Sequence, residues 1–555
     1  MILKKKKYQY LHLFILLISF NGVFAQDLTL EITSYSKHEQ NVLKKIRYLK
    51  KHKDSISLQQ EIVKVSNHLR NIGYFTNRIK QIKTLNKQNV IFFELHQKTL
   101  FAVIRLDSIS KIYFKTDKII NNTISIPIKN LQSTILKISN TLDKEGKSFS
   151  KIQLDDFLIK HDTLFTQLNI QESKKRIINK VIIKEYKNFP KSYLKNFYNI
   201  QSNTVFNRPK IKAISEASKS LQFITEIKPP EVLFTKDSTL LYLYFKKKSN
   251  NSFDGIVNFA NKENGDLLLN GTIDLKLNNM LNNGEKFTLF WNSIAKERQE
   301  FKLTTESPYL FNSKFTPTLS FSIYSQDSTF INTKFNSTLF YNLSTKLKLG
   351  FAYSSESSEN LNDNNANIKT FNNYFLGFQL RFTIPKNDFF FSNKFHFEIN
   401  PTFGKRTSGQ ETSNQFKIEA TSSYLWNLNL RNTVYIKTTA AHLNSDSFID
   451  NELFRIGGAN SIRGFNEQSI FTHSYLYFNL EYRYSTSEQS YLYTITDFGR
   501  VKTQLMQENL LGVGIGYLFN INNSQIKLST ALGRNLNQQV DIGQFKFIIN
   551  WKNYF

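Results

Sequence analysis

The sequence contains no cysteine and only three methionines and three tryptophans. The absence of cysteine excludes disulfide bonds, thiolate metal sites, a cysteine nucleophile and a lipid-modified cysteine. Beyond residue 25 there is no uninterrupted run of 18 apolar residues, so an ordinary transmembrane helix is excluded. Acidic residues are also scarce, with 44 against 73 lysines and arginines, and the formal net charge is +29 at pH 7.

This positive charge is concentrated in one half of the chain. Residues 26–249 contain 41 basic and 19 acidic residues, whereas residues 250–555 contain 28 basic and 25 acidic ones. The C-terminal half is therefore nearly neutral, and it is rich in phenylalanine and tyrosine. A chain of 555 residues is too long for one compact domain, so two or more domains are expected.

The first 25 residues have the pattern of a secretory signal peptide. Four lysines at Lys4 to Lys7 precede an apolar run from Leu11 to Phe20, and a small residue follows at Ala25. We expect cleavage after Ala25, which gives a signal peptide at 1–25. Because an exported basic protein is a poor candidate for intracellular DNA binding, we expect no nucleic-acid partner.

Residues 26–249 contain a mixed pattern that repeats at about 75 residues. Each unit begins with an alternating strand, continues with amphipathic helical stripes and ends with two strands. We predict three β-α-α-β-β modules, at 26–100, 101–174 and 175–249. The apolar positions of the stripes are Leu58, Ile62, Val65, Leu69 and Ile72, then Leu131, Ile135, Ile138 and Leu142, then Ile211, Ile214 and Leu221.

The sequence offers no constellation that would support catalysis. The histidines and aspartates of the modules lack metal-ligand spacing. The chain contains no Gly-x-Ser-x-Gly motif, and the histidines of its second half have no evident nucleophile partner. We therefore expect a protein that is not an enzyme, with no catalytic residue, metal or cofactor.

From residue 250 to residue 555 the apolar residues alternate with polar or small ones. Sixteen such segments of about ten residues follow one another, with aromatic residues near their ends and no helix between them. This pattern, behind an export signal, predicts a 16-stranded antiparallel transmembrane β-barrel at 250–555 in the bacterial outer membrane. The connections after even strands are short, whereas 355–370, 405–413 and 444–471 are long, as is expected if the N-terminal modules lie in the periplasm.

One loop of the predicted barrel is rich in glycine and carries a single arginine at its centre. It reads Arg-Ile-Gly-Gly-Ala-Asn-Ser-Ile-Arg-Gly-Phe, with Gly457, Gly458, Arg463, Gly464 and Phe465 as its notable residues. On the predicted thirteenth strand, Asp497 interrupts an aromatic segment two residues before Gly499. Since a buried arginine requires a carboxylate, we expect Arg463 to point into the lumen and pair with Asp497.

The chain resembles the BamA/TamA superfamily of outer-membrane assembly and translocation proteins. The resemblance is carried by the Arg-Gly-Phe loop before strand twelve, the Asp-x-Gly on strand thirteen and the tandem modules. It implies that the three modules are similar to POTRA domains, so the expected fold is α+β periplasmic modules followed by an all-β barrel. Three modules and this length resemble the TamA branch most, because the central assembly factor usually carries five.

The resemblance also implies partners and a role for each motif. The modules would engage unfolded outer-membrane or secreted client proteins, with outer-membrane lipid and a periplasmic or inner-membrane protein as further partners. Arg463 matches the loop arginine of the superfamily and Asp497 its strand aspartate. Trp551 and Phe555 resemble the C-terminal strand signal of outer-membrane barrels, although Asn553 departs from its alternating apolar pattern.

These expectations lead to one preferred function and two alternatives. The preferred function is insertion or translocation of client proteins, with lateral opening of the barrel between its first and last strands. An outer-membrane diffusion or uptake pore would account for the barrel but would leave three exported modules unexplained. A two-partner secretion transporter typically carries two modules behind a plug helix, and the strand that starts at Leu28 leaves no room for that helix.

Overall fold

The computed structural model describes residues 28–85, 88–248, 250–261, 267–294, 298–326, 329–362, 367–386, 390–503, 506–536 and 545–555. The predicted signal peptide, residues 1–25, lies outside this range. Two compact units are formed, one through Arg176 together with Val205–Arg208, the other from Ile177–Thr204 and Pro209–Phe555. Within the described residues, no helix is both long enough and apolar enough to cross a lipid bilayer.

The first module is a four-stranded sheet with one long helix against it. Its strands have the order β2-β1-β4-β3, and β1 runs parallel to β4. The long helix begins at Asp54, whose carboxylate accepts a hydrogen bond from the Ser57 amide at 2.7 Å, and its apolar stripe is buried in the module core. The elements are β1 (Leu28–Thr33), α1 (Lys37–Leu43), β2 (Lys51–His52), α2 (Ser55–Asn71), β3 (Arg78–Leu85) and β4 (Gln88–Glu94).

The second module repeats this plan with a weaker first helical region. Its strands have the order β6-β5-β8-β7, and β5 runs parallel to β8. Two short 3-10 helices, Ser110–Tyr113 and Thr116–Lys118, stand where the first α-helix was expected. This stretch has no apolar stripe at helical spacing, so nothing extends these turns into an α-helix. The other elements are β5 (Phe101–Leu106), β6 (Thr123–Pro127), α3 (Leu131–Lys144), β7 (Lys151–Lys160) and β8 (Thr163–Gln171).

The third module has a three-stranded sheet in the order β10-β11-β9, with β9 parallel to β11. Alternate residues of β11, Leu241, Leu243 and Phe245, are fully buried, and the Phe245 ring lies 5.4 Å from that of Phe189. All three modules therefore join their first strand to their last in parallel. The elements are β9 (Lys180–Lys184), α4 (Lys191–Asn196), α5 (Arg208–Ser218), β10 (Ile224–Phe234) and β11 (Thr239–Lys247).

The C-terminal half confirms the predicted closed barrel of sixteen antiparallel strands. Two further strands, β23 and β24, pair only with each other inside one connection. In chain order the strands are β12 (Ser252–Asn261), β13 (Leu267–Asn278), β14 (Lys286–Ile294), β15 (Arg298–Glu306), β16 (Phe315–Gln326), β17 (Phe330–Asn342), β18 (Leu347–Asn360), β19 (Phe371–Pro385), β20 (Asn393–Ser408), β21 (Glu411–Asn427), β22 (Asn432–Ser445), β23 (Phe454–Ile456), β24 (Ile470–Thr472), β25 (Ser474–Ser487), β26 (Ser490–Lys502), β27 (Gln507–Ile521), β28 (Ser524–Asn535) and β29 (Phe545–Tyr554).

One connection differs from its prediction. The sequence indicates a long outward loop at 405–413, but β20 and β21 continue pairing to Ser408 and Glu411, so only two residues remain between them. These strand ends carry polar residues on both faces, and hydrophobic alternation therefore does not mark them. Gly409 makes the tight turn with φ +59°.

Closure of the barrel is uneven around its circumference. The last strand, β29, pairs with β28 through nine residue pairs, from Ser524–Asn553 to Leu532–Phe545. Its pairing with the first strand, β12, consists of two residue pairs, Ser252–Tyr554 and Phe253–Asn553. In the described part of the chain, the seam between the first and last strands is therefore the weakest pairing in the barrel.

The third module is attached to one rim of the barrel by aromatic side chains. Tyr193 is buried, its ring lies 4.9 Å from that of Tyr309, and its hydroxyl donates to the Gly284 carbonyl at 3.5 Å. Burial raises the pKa of Tyr193 well above its usual value, so the phenol stays protonated as a donor. Gly284 and Tyr309 lie in connections after even barrel strands, and these connections therefore face the module, as the prediction requires.

Candidate functional site in the barrel lumen

The connection between β22 and β25 folds as a hairpin whose tip lies inside the barrel. Its arms are β23 and β24, and the glycine-rich segment joins them. Gly457 and Gly458 have φ values of +109° and +96°, which side chains rarely adopt. The Gly458 amide donates to the Ile462 carbonyl at 3.1 Å, and the Ala459 amide donates to the Glu467 carboxylate at 2.9 Å. The glycines thus reverse the chain so that Arg463 projects from the tip.

Arg463 meets Asp497 of β26 in a bidentate pair. Its Nε donates to Asp497 Oδ2 at 2.8 Å, its Nη2 donates to Oδ1 at 2.5 Å, and its own backbone amide donates to Oδ2 at 2.8 Å. Asp497 is fully buried and Arg463 is 5% exposed. The structure therefore brings together the two residues that the sequence analysis selected, in the geometry that planar guanidinium recognition favours.

A second acidic residue, which the sequence analysis missed, also binds the arginine. Arg463 Nη1 donates to Glu481 of β25, and Glu481 accepts a further bond from Arg483 Nε at 2.8 Å. The Arg483 guanidinium lies over the rings of Phe391 at 4.4 Å and Tyr435 at 4.2 Å. Two arginines and two carboxylates thus form one buried network with no excess charge. Glu481 and Arg483 are charged residues at inward-facing positions of a strand rich in aromatic residues. This pattern was the sequence signal that could have identified them.

The wall beneath the loop tip is built from glycine. A methyl group at Gly464 would overlap the backbone of Leu532 and Gly533 on β28, and Gly464 has φ +95°. Gly512 of β27 lies under the Arg463 carbonyl in the same way, and Gly499 lies against Ile462. The predicted Gly499 therefore contacts the loop through the Ile462 side chain, whereas at Gly464 and Gly512 only a residue without Cβ lets the two backbones approach.

The loop tip also has a small apolar core. Ile456 and Ile462 of the loop are buried against Tyr477, Val501 and Leu510 of the barrel wall. Phe465 packs against this cluster, which places the third residue of the Arg-Gly-Phe motif. Trp551 lies on β29, and the Phe555 amide donates to the Asn251 carbonyl at 3.1 Å beside the seam, so these two lie apart from the loop site.

The part of the barrel that contains this site is similar to known proteins. Residues 303–519 match the model of the family described as haemolysin secretion/activation protein ShlB/FhaC/HecB. CdiB from Escherichia coli is 13% identical, with 90% of this chain and 97% of that chain covered and a TM-score of 0.50. CdiB from Acinetobacter baumannii is 15% identical, with 83% and 91% covered and a TM-score of 0.50. No curated protein matches significantly.

The matched residues contain Arg463, Asp497 and the strands that hold them. The match and the shared fold support the resemblance of this chain to the BamA/TamA superfamily. BamA from Haemophilus ducreyi lacking POTRA domains 1–3 is also similar, at 12% identity over 83% of this chain and 100% of that chain, with a TM-score of 0.45. Assignment to the TamA branch within the superfamily stays a prediction.

The same findings give the location of the chain. The barrel lies in the bacterial outer membrane, and the POTRA-like modules lie in the periplasm. The connections that contact Tyr193 are consequently periplasmic, and the loop that carries Arg463 enters the lumen from the outer face.

Substitution of Gly464 by alanine is expected to unseat the loop tip. The added methyl group would overlap the β28 backbone, which cannot move as a flexible side chain could. Limited trypsin digestion of the purified protein should then cleave after Arg463, whereas the wild type is protected there.

Gly409→Ala is the matched control for this substitution. Gly409 also has positive φ, but a Cβ there meets nothing within 4 Å. It therefore introduces a similar backbone strain without the overlap, and the loop should stay protected from trypsin. Equal cleavage in both variants would show that strain in general, and not the seat of the loop, causes the release.

Proposed function

We propose that this protein transfers client polypeptides into or across the outer membrane, without catalysing a reaction. The observation that supports this function most directly is the weak seam between β12 and β29. A barrel whose strands never separate would be more stable with β12 and β29 fully paired, because each unpaired backbone group next to lipid is costly. A barrel that accepts a client strand needs one edge that separates at low cost.

The seam can be opened by breaking few bonds. Beyond its two residue pairs, the described residues join the two sides of the seam through Asn550 Nδ2, which donates to Asp254 Oδ2 at 2.9 Å, and through the Phe555 amide, which donates to the Asn251 carbonyl at 3.1 Å. A backbone hydrogen bond contributes about 0.5–1.5 kcal/mol net, so a few such bonds fall within the range that a client strand could replace. The exposed strand edges would then template the client by β-strand addition.

The three modules offer further edges for an extended client. In the described sheets β3, β7 and β10 are terminal strands, and each carries exposed apolar side chains. Examples are Leu85, Phe157 and Leu233, which are 77%, 65% and 50% exposed. We propose that these edges hold unfolded outer-membrane or secreted clients before they reach the barrel, and that a periplasmic or inner-membrane protein assists them.

Two-partner secretion is the second candidate, and one finding favours it. The family model that matches 303–519 is named for haemolysin secretion and activation, and the CdiB structures cover most of this chain. In this version the client would pass through the lumen after the loop moves away. A diffusion pore is less well supported, because the loop and its network of charges lie across the lumen.

Depletion of the protein from its host distinguishes insertion from secretion. If the protein inserts clients, the amounts of folded outer-membrane barrels should fall severalfold while secreted proteins accumulate normally outside the cell. If it secretes one client, that protein should disappear from the medium while the barrels stay constant. Quantitative proteomics of the two fractions measures both, and unchanged levels in each would contradict the proposal.

A further inference from the structure

The loop that carries Arg463 is attached to the barrel at a second place, before its hairpin begins. Glu452 of the loop pairs with Arg406 of β20, whose Nη1 donates to Glu452 Oε2 at 2.7 Å. Their side chains are 2% and 3% exposed. Arg406 Nη1 also donates to the Ser447 carbonyl at 3.0 Å, and Gln415 Nε2 donates to Glu452 Oε1 at 3.0 Å.

The neighbouring Asn451 extends this attachment to other strands. It is fully buried, and its Nδ2 donates to Ser358 Oγ at 2.6 Å and to the Lys369 carbonyl at 2.8 Å. Its own carbonyl accepts a bond from Asn332 Nδ2 at 2.7 Å. An asparagine with this many partners at one point fixes the loop backbone against β17 and β18.

Arg455 completes the attachment at the start of β23. Its guanidinium lies 3.8 Å from the ring centre of Tyr324 and 5.2 Å from that of Phe330, and Nη2 donates to the Asn451 carbonyl at 3.1 Å. This cation–π contact joins the loop to β16 and β17. The contacts of Asn451, Glu452 and Arg455 are called the second anchor below, and those of Arg463 the first anchor.

The two anchors lie on different parts of the barrel wall. The first anchor uses β25 and β26, whereas the second uses β16, β17, β18, β20 and β21. In strand order, Arg406 on β20 is separated from Asp497 on β26 by β21, β22 and β25. The loop therefore crosses the lumen, with a cation of the loop bound on one side and an anion of the loop bound on the other.

We infer that Asn451, Glu452 and Arg406 are positioning residues that keep the loop across the lumen after Arg463 has been released. The two sets of contacts share no side chain, so loss of one leaves the other intact. The lumen then opens fully only when both anchors are broken. This inference concerns closure of the channel and holds whether the protein inserts clients or secretes them.

Single-channel recording of the full-length protein in planar lipid bilayers tests the second anchor. The variants are Arg463→Ala, Glu452→Gln and the two combined. Each single variant should keep the loop in the lumen and show brief openings at most. The double variant should raise the fraction of time in the open state at least tenfold over either single variant.

Two controls separate the anchor from general damage. Arg463→Ala combined with Glu359→Gln removes an exposed carboxylate of β18 instead, and it should behave like Arg463→Ala alone. The charges can also be exchanged, as Arg406→Glu with Glu452→Arg in the Arg463→Ala background. If the ion pair acts as an anchor, this variant should stay closed, unlike the variant that combines Arg463→Ala with Glu452→Gln. Heat-modifiable migration in gels confirms that each barrel is folded.

Two outcomes would overturn the inference. In one, Arg463→Ala alone opens the channel as fully as the double variant, which would mean that the second anchor holds nothing. In the other, the double variant stays closed as the single variants do. Neither outcome bears on client transfer, which the bilayer experiment does not measure, so the proposed function and the anchor are judged separately.

Discussion

Arg463→Ala is expected to abolish most client transfer while leaving a folded barrel in the membrane. The substitution removes the guanidinium that both Asp497 and Glu481 contact, and both carboxylates are almost completely buried. Breaking a buried ion pair by removing one partner costs about 3–5 kcal/mol, because the remaining charge is left uncompensated. The loop tip relieves this cost by leaving its seat, while the second anchor still holds the loop in the lumen and the barrel stays folded.

The measurement has two parts, which are client insertion or secretion in cells and heat-modifiable migration of the variant barrel. Arg463→Lys keeps the charge but cannot form the bidentate pair, so intermediate activity is expected. Arg500→Ala is the matched control, since Arg500 is an exposed arginine on the same strand as Asp497. Full activity of Arg463→Ala would mean that the first anchor has no role in client transfer.

A charge exchange between Arg463 and Asp497 gives a sharper test. From the sequence alone, Arg463→Asp with Asp497→Arg is expected to restore part of the function, because the pair is simply reversed. The structure predicts little restoration. An aspartate at 463 would face Glu481 and repel it, and Glu481 would lose its bond from residue 463 and keep the one from Arg483. Strong rescue would mean that Glu481 contributes little.

Much of the fold follows from the sequence, because the lipid bilayer imposes a strict pattern on a barrel. Every strand must alternate between lipid and lumen, and period-two alternation therefore counts the strands correctly. The same pattern does not mark strand ends that extend beyond the lipid, such as the polar ends of β20 and β21 on either side of Gly409. The second module shows a comparable limit, since 110–118 has too little periodicity to distinguish 3-10 turns from an α-helix.

The site was only partly predictable for a similar reason. Arg463 and Asp497 stand out as lone charges in apolar or glycine-rich surroundings, which singles them out in the sequence. Glu481 and Arg483 also interrupt an aromatic strand, but inward charges are ordinary in a barrel and only the three-dimensional arrangement shows that they meet Arg463. Glu452 and Arg406 are 46 residues apart, and their contact depends on how far the loop reaches across the lumen.

Locking the seam is the second change expected to have a large effect. Because the chain contains no cysteine, Phe253→Cys with Asn553→Cys introduces a single pair of thiols. These residues are directly opposed across β12 and β29. Opposed residues of antiparallel strands have Cα atoms about 4.5–5.5 Å apart, which a disulfide can bridge. Oxidation should therefore join the two strands covalently.

The matched control is Leu528→Cys with Ile549→Cys, which are directly opposed between β28 and β29. That ladder of nine pairs is not expected to separate, so its disulfide should leave client transfer unchanged. Oxidation of the seam pair should stop the insertion of clients, and a reductant should restore it within the same preparation. This reversibility distinguishes a locked seam from a misfolded barrel, since misfolding would not be repaired by reduction.

The same experiment distinguishes the two candidate functions. A client that leaves sideways into the membrane must pass between β12 and β29, so it is blocked when the disulfide forms. A client that is secreted through the lumen passes the loop instead. Its transfer should therefore depend on Arg463 and Glu452, which hold the loop, but not on the seam. Transfer that continues at the wild-type rate with the seam oxidised would therefore exclude lateral opening as the route of the client. A block that a reductant reverses would instead exclude the lumen as the only route.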